Sequence, residues 1–209
     1  MSLRSVDALT IPPEVDLCLP SFPIPSVPLR SSLALCLDTE TTDLSPNRTM
    51  RDDRRPRVIE FYGCLVDLDC DQPPLEELDL LIDPGFPVPE KVTKITHITQ
   101  DMLSDQPRFP EVALRVRDFL QDAPLIIAHN ASFDKEVLDM ELERARVPIR
   151  WPPVVCTVEE TIWLVGRRLS LGDLHEHLFR ERFKDAHRAR SDVMALVRVA
   201  RELRRRGIL

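Results

Sequence analysis

Lysine is nearly missing from this chain: it supplies only four of the 28 basic residues, at positions 91, 94, 135 and 184. With a net charge of −7, a surface that coats nucleic acid by general electrostatic pull is excluded. The other basic residues are arginines, whose planar fork suits bidentate contact with phosphate. Such a chain can meet nucleic acid locally, with metal ions offsetting carboxylate repulsion. A compositional bias towards arginine explains the count equally well. Long apolar runs are also missing. None approaches the ~18 residues needed to cross a bilayer, and the N-terminus lacks the charged-then-apolar pattern of a secretory signal. No membrane partner is expected. The five cysteines (18, 36, 64, 70 and 156) are odd in number and form no CxxC pair, which points to a cytoplasmic location and no structural zinc. Cys36 and Cys156 lie in apolar runs and read as core. Glycine is absent from residues 1–30, which hold six of the 19 prolines. A stretch such as Leu17-Cys18-Leu19-Pro20-Ser21-Phe22-Pro23-Ile24-Pro25 cannot be helical. Residues 1–30 therefore read as an extended arm, and residues 31–209 as one domain, with 43% apolar content for the chain.

What is present starts with Leu33-Ala34-Leu35-Cys36-Leu37, an apolar run that ends in Asp38-Thr39-Glu40-Thr41-Thr42. A short continuous apolar run fits a buried strand. On a strand, i and i+2 share a face, so Asp38 and Glu40 point the same way. Two like charges at the end of a core strand repel and are costly to desolvate; a hard cation with oxygen ligands, Mg²⁺ or Mn²⁺, relieves both problems. Two solvated acids at a strand end are the other reading of the pair alone. Asp43 to Arg57 is polar and carries Arg48, Arg51, Arg54, Arg55 and Arg57, either a solvated loop or an edge able to meet phosphate. Residues 58–67 and 75–82 predict two further strands, giving an antiparallel meander. A helix follows from Glu111. Residues 125–128 and 154–156 predict two short buried strands, with a helix between them for which Ser132 is the expected N-cap. A helical turn around Ile162-Trp163 and a helix carrying Leu171, Leu174, Leu178 and Phe179 come next. The last helix is apolar at 193, 196, 197, 200 and 203 and stops at Arg204-Arg205-Arg206-Gly207. The fold class is α/β: a mixed sheet with helices on both faces.

Asp134 falls just after the fourth strand, and Asp192, five residues after His187, falls at the start of the last helix. Each alone is no more than an acid near a helix start. Together, Asp38-Thr39-Glu40-Thr41-Thr42, His129-Asn130-Ala131-Ser132-Phe133-Asp134 and His187-Arg188-Ala189-Arg190-Ser191-Asp192 resemble, in order, the three motifs of the DEDDh family of 3′–5′ exonucleases. That group contains the proofreading (epsilon) subunits of bacterial DNA polymerase III. Ile95-Thr96-His97-Ile98-Thr99 through Pro107 and Ser170-Leu171-Gly172-Asp173-Leu174 resemble two supporting segments. The resemblance covers roughly residues 33 to 203.

The resemblance implies a ribonuclease H-like fold with a five-stranded mixed sheet, a three-stranded antiparallel meander plus two parallel strands. It implies that Asp38, Glu40 and Asp192 hold one Mg²⁺ or Mn²⁺, that Asp134 helps place a second, and that His187 is the general base. Thr39, Thr41, Thr42, Leu44, His129, Asn130 and Phe133 would contact the substrate, with Leu44 wedged against the terminal bases; Phe133 reads equally as core. The expected substrate is a single-stranded 3′ end, DNA more than RNA, released as nucleoside 5′-monophosphates. A DNA polymerase or other replication protein is an expected partner. An exoribonuclease of the same fold and a non-catalytic 3′-end or partner-binding module are the alternatives. Three departures stand out. Asp43 and His97 occupy positions where the family often has glycine. The sequence ends at Leu209 without the long tail by which some proofreading subunits dock, which leaves the proline arm as the element open to a partner. His175 and His177 are i and i+2, point apart on a helix, and read as structural or exposed.

Overall fold

The computed structural model describes residues 32–43, 51–52, 55–183 and 187–209. The proline arm lies outside these residues, as do Leu44, Arg48 and Arg54. Five strands are described: β1 (Leu33–Thr41), β2 (Val58–Asp67), β3 (Glu76–Leu81), β4 (Ile126–Ala128) and β5 (Val154–Cys156). Seven helices accompany them: α1 (Glu90–Thr96), α2 (Gln100–Leu103), α3 (Phe109–Gln121), α4 (Ala131–Ala145), α5 (Thr157–Val165), α6 (Leu171–Phe179) and α7 (Ala189–Arg205). The sheet order is β3-β2-β1-β4-β5. The first three strands pair antiparallel, and β4 and β5 add in parallel. This is the expected meander plus two parallel strands.

The sheet is covered on both faces, and the alternation along β1 decides what each face receives. Leu35 and Leu37 join a core with Val112, Val116, Leu138 and Leu142 of α3 and α4. Ala34 and Cys36 join a second core with Val193, Leu196, Val197 and Ala200 of α7. Side chains alternate along a strand. Residues 38 and 40 therefore continue the face under α7, and Thr39 continues the face under α4. The ladder slips between Glu40 and Thr41, because Glu40 pairs with Glu60 but Thr41 pairs with Val58. Bulges of this kind re-aim side chains where pairing ends. Beyond it, Thr42 N–H donates to the Arg57 carbonyl (2.9 Å), and Arg57 N–H donates to Thr42 Oγ1 (3.0 Å), clipping shut the loop between them.

Two sequence expectations are corrected. Ser132 is not the N-cap of α4. Asn130 takes that position in a left-handed conformation (φ 65°, ψ 45°), with no side-chain cap hydrogen bond, and Ala131 already belongs to the helix. The single turn around Ile162-Trp163 is instead the nine-residue helix α5. Among the described residues no helix is long and apolar enough to cross a membrane.

Candidate metal and nuclease site

The strand alternation places Asp38 and Glu40 towards α7, whose first turn carries Asp192. One carboxylate oxygen from each of the three lies within 4.8 Å of the others. Burial is the main cause that pushes all three acids above the usual carboxylate range. Asp38 is raised well above it, with the charges of Asp134, Glu40 and Asp192 adding to the effect. Glu40 is raised to about 8, with Asp192 the largest neighbouring charge. Asp192 is raised to about 6, even though the His187 N–H opposes the shift. A half-buried group of mutually repelling oxygen donors with no cation among its members is the donor set of a hard divalent ion. The residues fit Mg²⁺ or Mn²⁺.

Asp134 is not a member of this three-acid group. It is 3% exposed, and its Oδ1 accepts from Thr39 N–H (3.0 Å) and Thr39 Oγ1–H (2.8 Å). Burial raises it to about 7 against the pull of those hydrogen bonds. Its charge is the largest neighbouring one acting on Asp38, so it bears on the cluster electrostatically.

His187 is exposed and left-handed (φ 69°). Its N–H donates to Asp192 Oδ2 (2.9 Å), and Asp192 N–H donates back to the Arg188 carbonyl (3.0 Å). The turn carrying the histidine is thus tied to one of the three acids.

The expected substrate contacts divide. Thr39, Thr41 and Thr42 are buried. Thr41 Oγ1 donates to the Asp43 carbonyl (2.7 Å), and the Asp43 carboxylate pairs with Lys91 (3.2 Å), so Asp43 closes the turn after β1. The His129 ring is engaged at both nitrogens. Nε2 donates to the Leu169 carbonyl (3.1 Å), which leaves Nδ1 to accept from Thr157 Oγ1 (2.8 Å). Burial lowers its pKa, which favours this neutral form. Asn130 Oδ1 accepts from Arg168 Nη2 (2.9 Å). Phe133 packs partly buried against the α3–α4 core. Leu44 lies outside the described residues. His175 is buried with Nδ1 at 2.9 Å from the Glu181 carbonyl, and His177 is exposed; neither joins the acids.

Sequence reasoning missed Glu60. It is 2% exposed, faces Glu40 across the ladder, and binds Arg188 and the Ala189 N–H. Its sequence signal is an acid in the middle of Val58-Ile59-Glu60-Phe61-Tyr62; the pairing with Glu40 is what puts it on the face of Asp38 and Glu40.

A mixed sheet of this order, with its acids beside the last helix, defines a ribonuclease H-like protein with a carboxylate cluster that could hold a metal ion. Within that class, the exonuclease (RNase T) family model matches residues 35–200, and the chain belongs to that family. Its three motifs are those of the DEDDh branch. The chain is 36% identical over 104 residues to the DNA polymerase III subunit epsilon of Pasteurella multocida, covering 47% of this chain and 40% of that protein. It is 32% identical over 175 residues to the PolC-type DNA polymerase III of Streptococcus pyogenes, covering 82% of this chain and 11% of that one. It therefore spans well under half of these relatives. Two solved structures share the fold. One is the nuclease domain of 3′hExo, a DEDDh family member, bound to rAMP (TM-score 0.68, 15% identity, 85% of this chain and 94% of that one). The other is exonuclease X with 5′-overhanging duplex DNA (TM-score 0.61, 21% identity, 83% and 93%).

Proposed function

We propose that this chain is a divalent-metal-dependent 3′–5′ exonuclease that shortens single-stranded DNA from its 3′ end and releases nucleoside 5′-monophosphates. The observation that carries this reading is the meeting of Asp38, Glu40 and Asp192 within 4.8 Å beside a histidine turn bonded to Asp192. Asp38, Glu40 and Asp192 would hold one ion, with Asp134 helping to place a second. When bound, two such ions supply charge stabilisation at the attacking and leaving oxygens and lower the pKa of a water.

The chain's own groups do the rest. His187 takes the proton of the attacking water on an imidazole nitrogen, and its tie to Asp192 keeps that base at the metal face. The buried threonines Thr39, Thr41 and Thr42 at the end of β1 shape the edge of the terminal-nucleotide pocket. Asn130, held by Arg168, borders the sugar–phosphate path. His129, with both nitrogens occupied, acts there by positioning, and Phe133 backs the same edge from the core. DNA is favoured because the two relatives named above are DNA polymerase III proteins. A replicative polymerase is the proposed partner for the same reason.

The test is to incubate 5′-labelled single-stranded DNA and the matched RNA with Mg²⁺, with Mn²⁺ and with chelator. A ladder shortening from the 3′ end, faster on DNA and absent in chelator, is expected. Faster shortening of RNA supports the ribonuclease alternative. No metal-dependent shortening of either supports the non-catalytic binding module.

A further inference from the structure

Glu60 sits on β2, between β3 and β1, directly across from Glu40. Its carboxylate is fully used. Arg188 Nε lies 3.1 and 3.2 Å from its two oxygens, Arg188 Nη2 lies 2.7 Å from Oε1, and the Ala189 N–H donates to Oε2 at 2.9 Å. The Glu60 end of this ion pair is buried, which is costly to desolvate, and well-packed apolar residues of similar volume often replace such a group without loss of stability. Core packing alone therefore does not call for this glutamate.

What the pair provides is geometry. Residues 187–189 are gripped from both sides: His187 by Asp192 on α7, Arg188 and Ala189 by Glu60 on β2. Between the grips His187 holds φ 69°, a sparsely populated conformation for a residue other than glycine, which persists where the surroundings over-determine it. Arg188 also sets a positive charge beside Glu40 and Asp79. We infer that Glu60, acting through Arg188 and the Ala189 N–H, is a positioning residue for His187 and locks the base-bearing turn in register with the acids of β1.

This inference rests on the general-base reading of His187, so both are tested together. The variants are Glu60→Ala, Glu60→Gln, Arg188→Ala, His187→Ala and the double variant Glu60→Ala/His187→Ala. The readouts are kcat and KM on a labelled oligonucleotide, Mn²⁺ affinity, and Tm. Glu60→Ala is expected to lower kcat by ~10–100-fold, the scale of a small misplacement of a catalytic group, with KM and Mn²⁺ affinity nearly unchanged. Glu60→Gln keeps one acceptor for the Ala189 N–H and should fall between Glu60→Ala and the parent. In the His187→Ala background, Glu60→Ala should cost little more. Arg188→Ala, at a half-exposed side chain, should show the same pattern and serves if Glu60→Ala does not fold. Wild-type kcat in Glu60→Ala, a full multiplicative loss in the double variant, or a parallel loss of Mn²⁺ affinity would overturn the inference. A silent His187→Ala overturns the general-base reading by itself, before Glu60 enters, and the inference falls with it.

Discussion

Asp134 receives both the N–H and the hydroxyl of Thr39, so its carboxylate ties the start of α4 to the strand that carries Asp38 and Glu40. Asp134→Ala leaves two buried donors unpaired and should cost about 1–3 kcal/mol, read as a lower urea midpoint; an unchanged midpoint would argue against the bond. The neighbouring acids make a pH prediction. Glu40, Asp134 and Asp192 are raised to about 8, 7 and 6. A carboxyl raised in the folded state contributes stability that is fully present below its unfolded pKa, near 4, and is lost as pH rises through the folded value. In chelator, Tm should therefore fall between roughly pH 4 and pH 8. Excess Mg²⁺ or Mn²⁺ should suppress the fall, because the ions bind the deprotonated carboxylates. A chelator profile that is flat or rising contradicts the assignment. His97 offers a simpler case. It is exposed and left-handed (φ 60°) at the C-cap of α1, where the family often has glycine. His97→Gly should raise stability by about 0.5–1 kcal/mol by relieving that conformation, measured by denaturant titration.

At the scale of the element, Arg57 is turned inward and does not line a phosphate-facing edge. It pairs with Asp52 (3.4 Å) and approaches Glu141 (3.8 Å), and Arg144 binds both Asp52 (2.6 Å) and Glu141 (3.0 Å). Glu141 is 3% exposed and accepts the first N–H of β2, from Val58. Arg144→Met removes its closest countercharge and should destabilise by about 3 kcal/mol, lowering Tm without a matching loss of metal affinity. The elements legible in the sequence are those with a strong local pattern. The bounds of β2 and β5 match the apolar runs, β3 is one residue shorter at each end, and β4 begins one residue later. The stripe of α7 is buried as its spacing requires. Helices α1 and α2 were not legible: α1 buries only Val92 and Thr96, and α2 only Leu103, too few to set a period. The N-cap of α4 was misplaced because Ser132 has the right chemistry, while the turn is made by the backbone of Asn130. Within the site, the three acids were legible from alternation and motif. The bonding of Asp134 to Thr39, and the part played by Glu60, required knowing which strand lies beside which.

Across the whole molecule, a chain of net charge −7 has little long-range attraction for a polyanion, and the acids Asp38, Glu40 and Asp192 lie where the proposed 3′ end would arrive. Divalent ions should therefore govern substrate affinity as well as rate: KM for single-stranded DNA should fall as Mn²⁺ rises at fixed ionic strength. A KM indifferent to Mn²⁺ would place binding away from the acids. The central claim, that Asp38, Glu40 and Asp192 form one metal site that drives hydrolysis at a 3′ end, is tested most directly by Asp192→Asn. The charge is removed while the size is kept. The measurement is the Mn²⁺-dependent rate of nucleotide release from a 3′-labelled single strand, alongside a thermal melt that shows the fold intact. The account predicts that release drops by at least ~10²-fold, the scale at which a lost metal-site group acts, and that Mn²⁺ binding weakens with it. Full release by folded Asp192→Asn would contradict it.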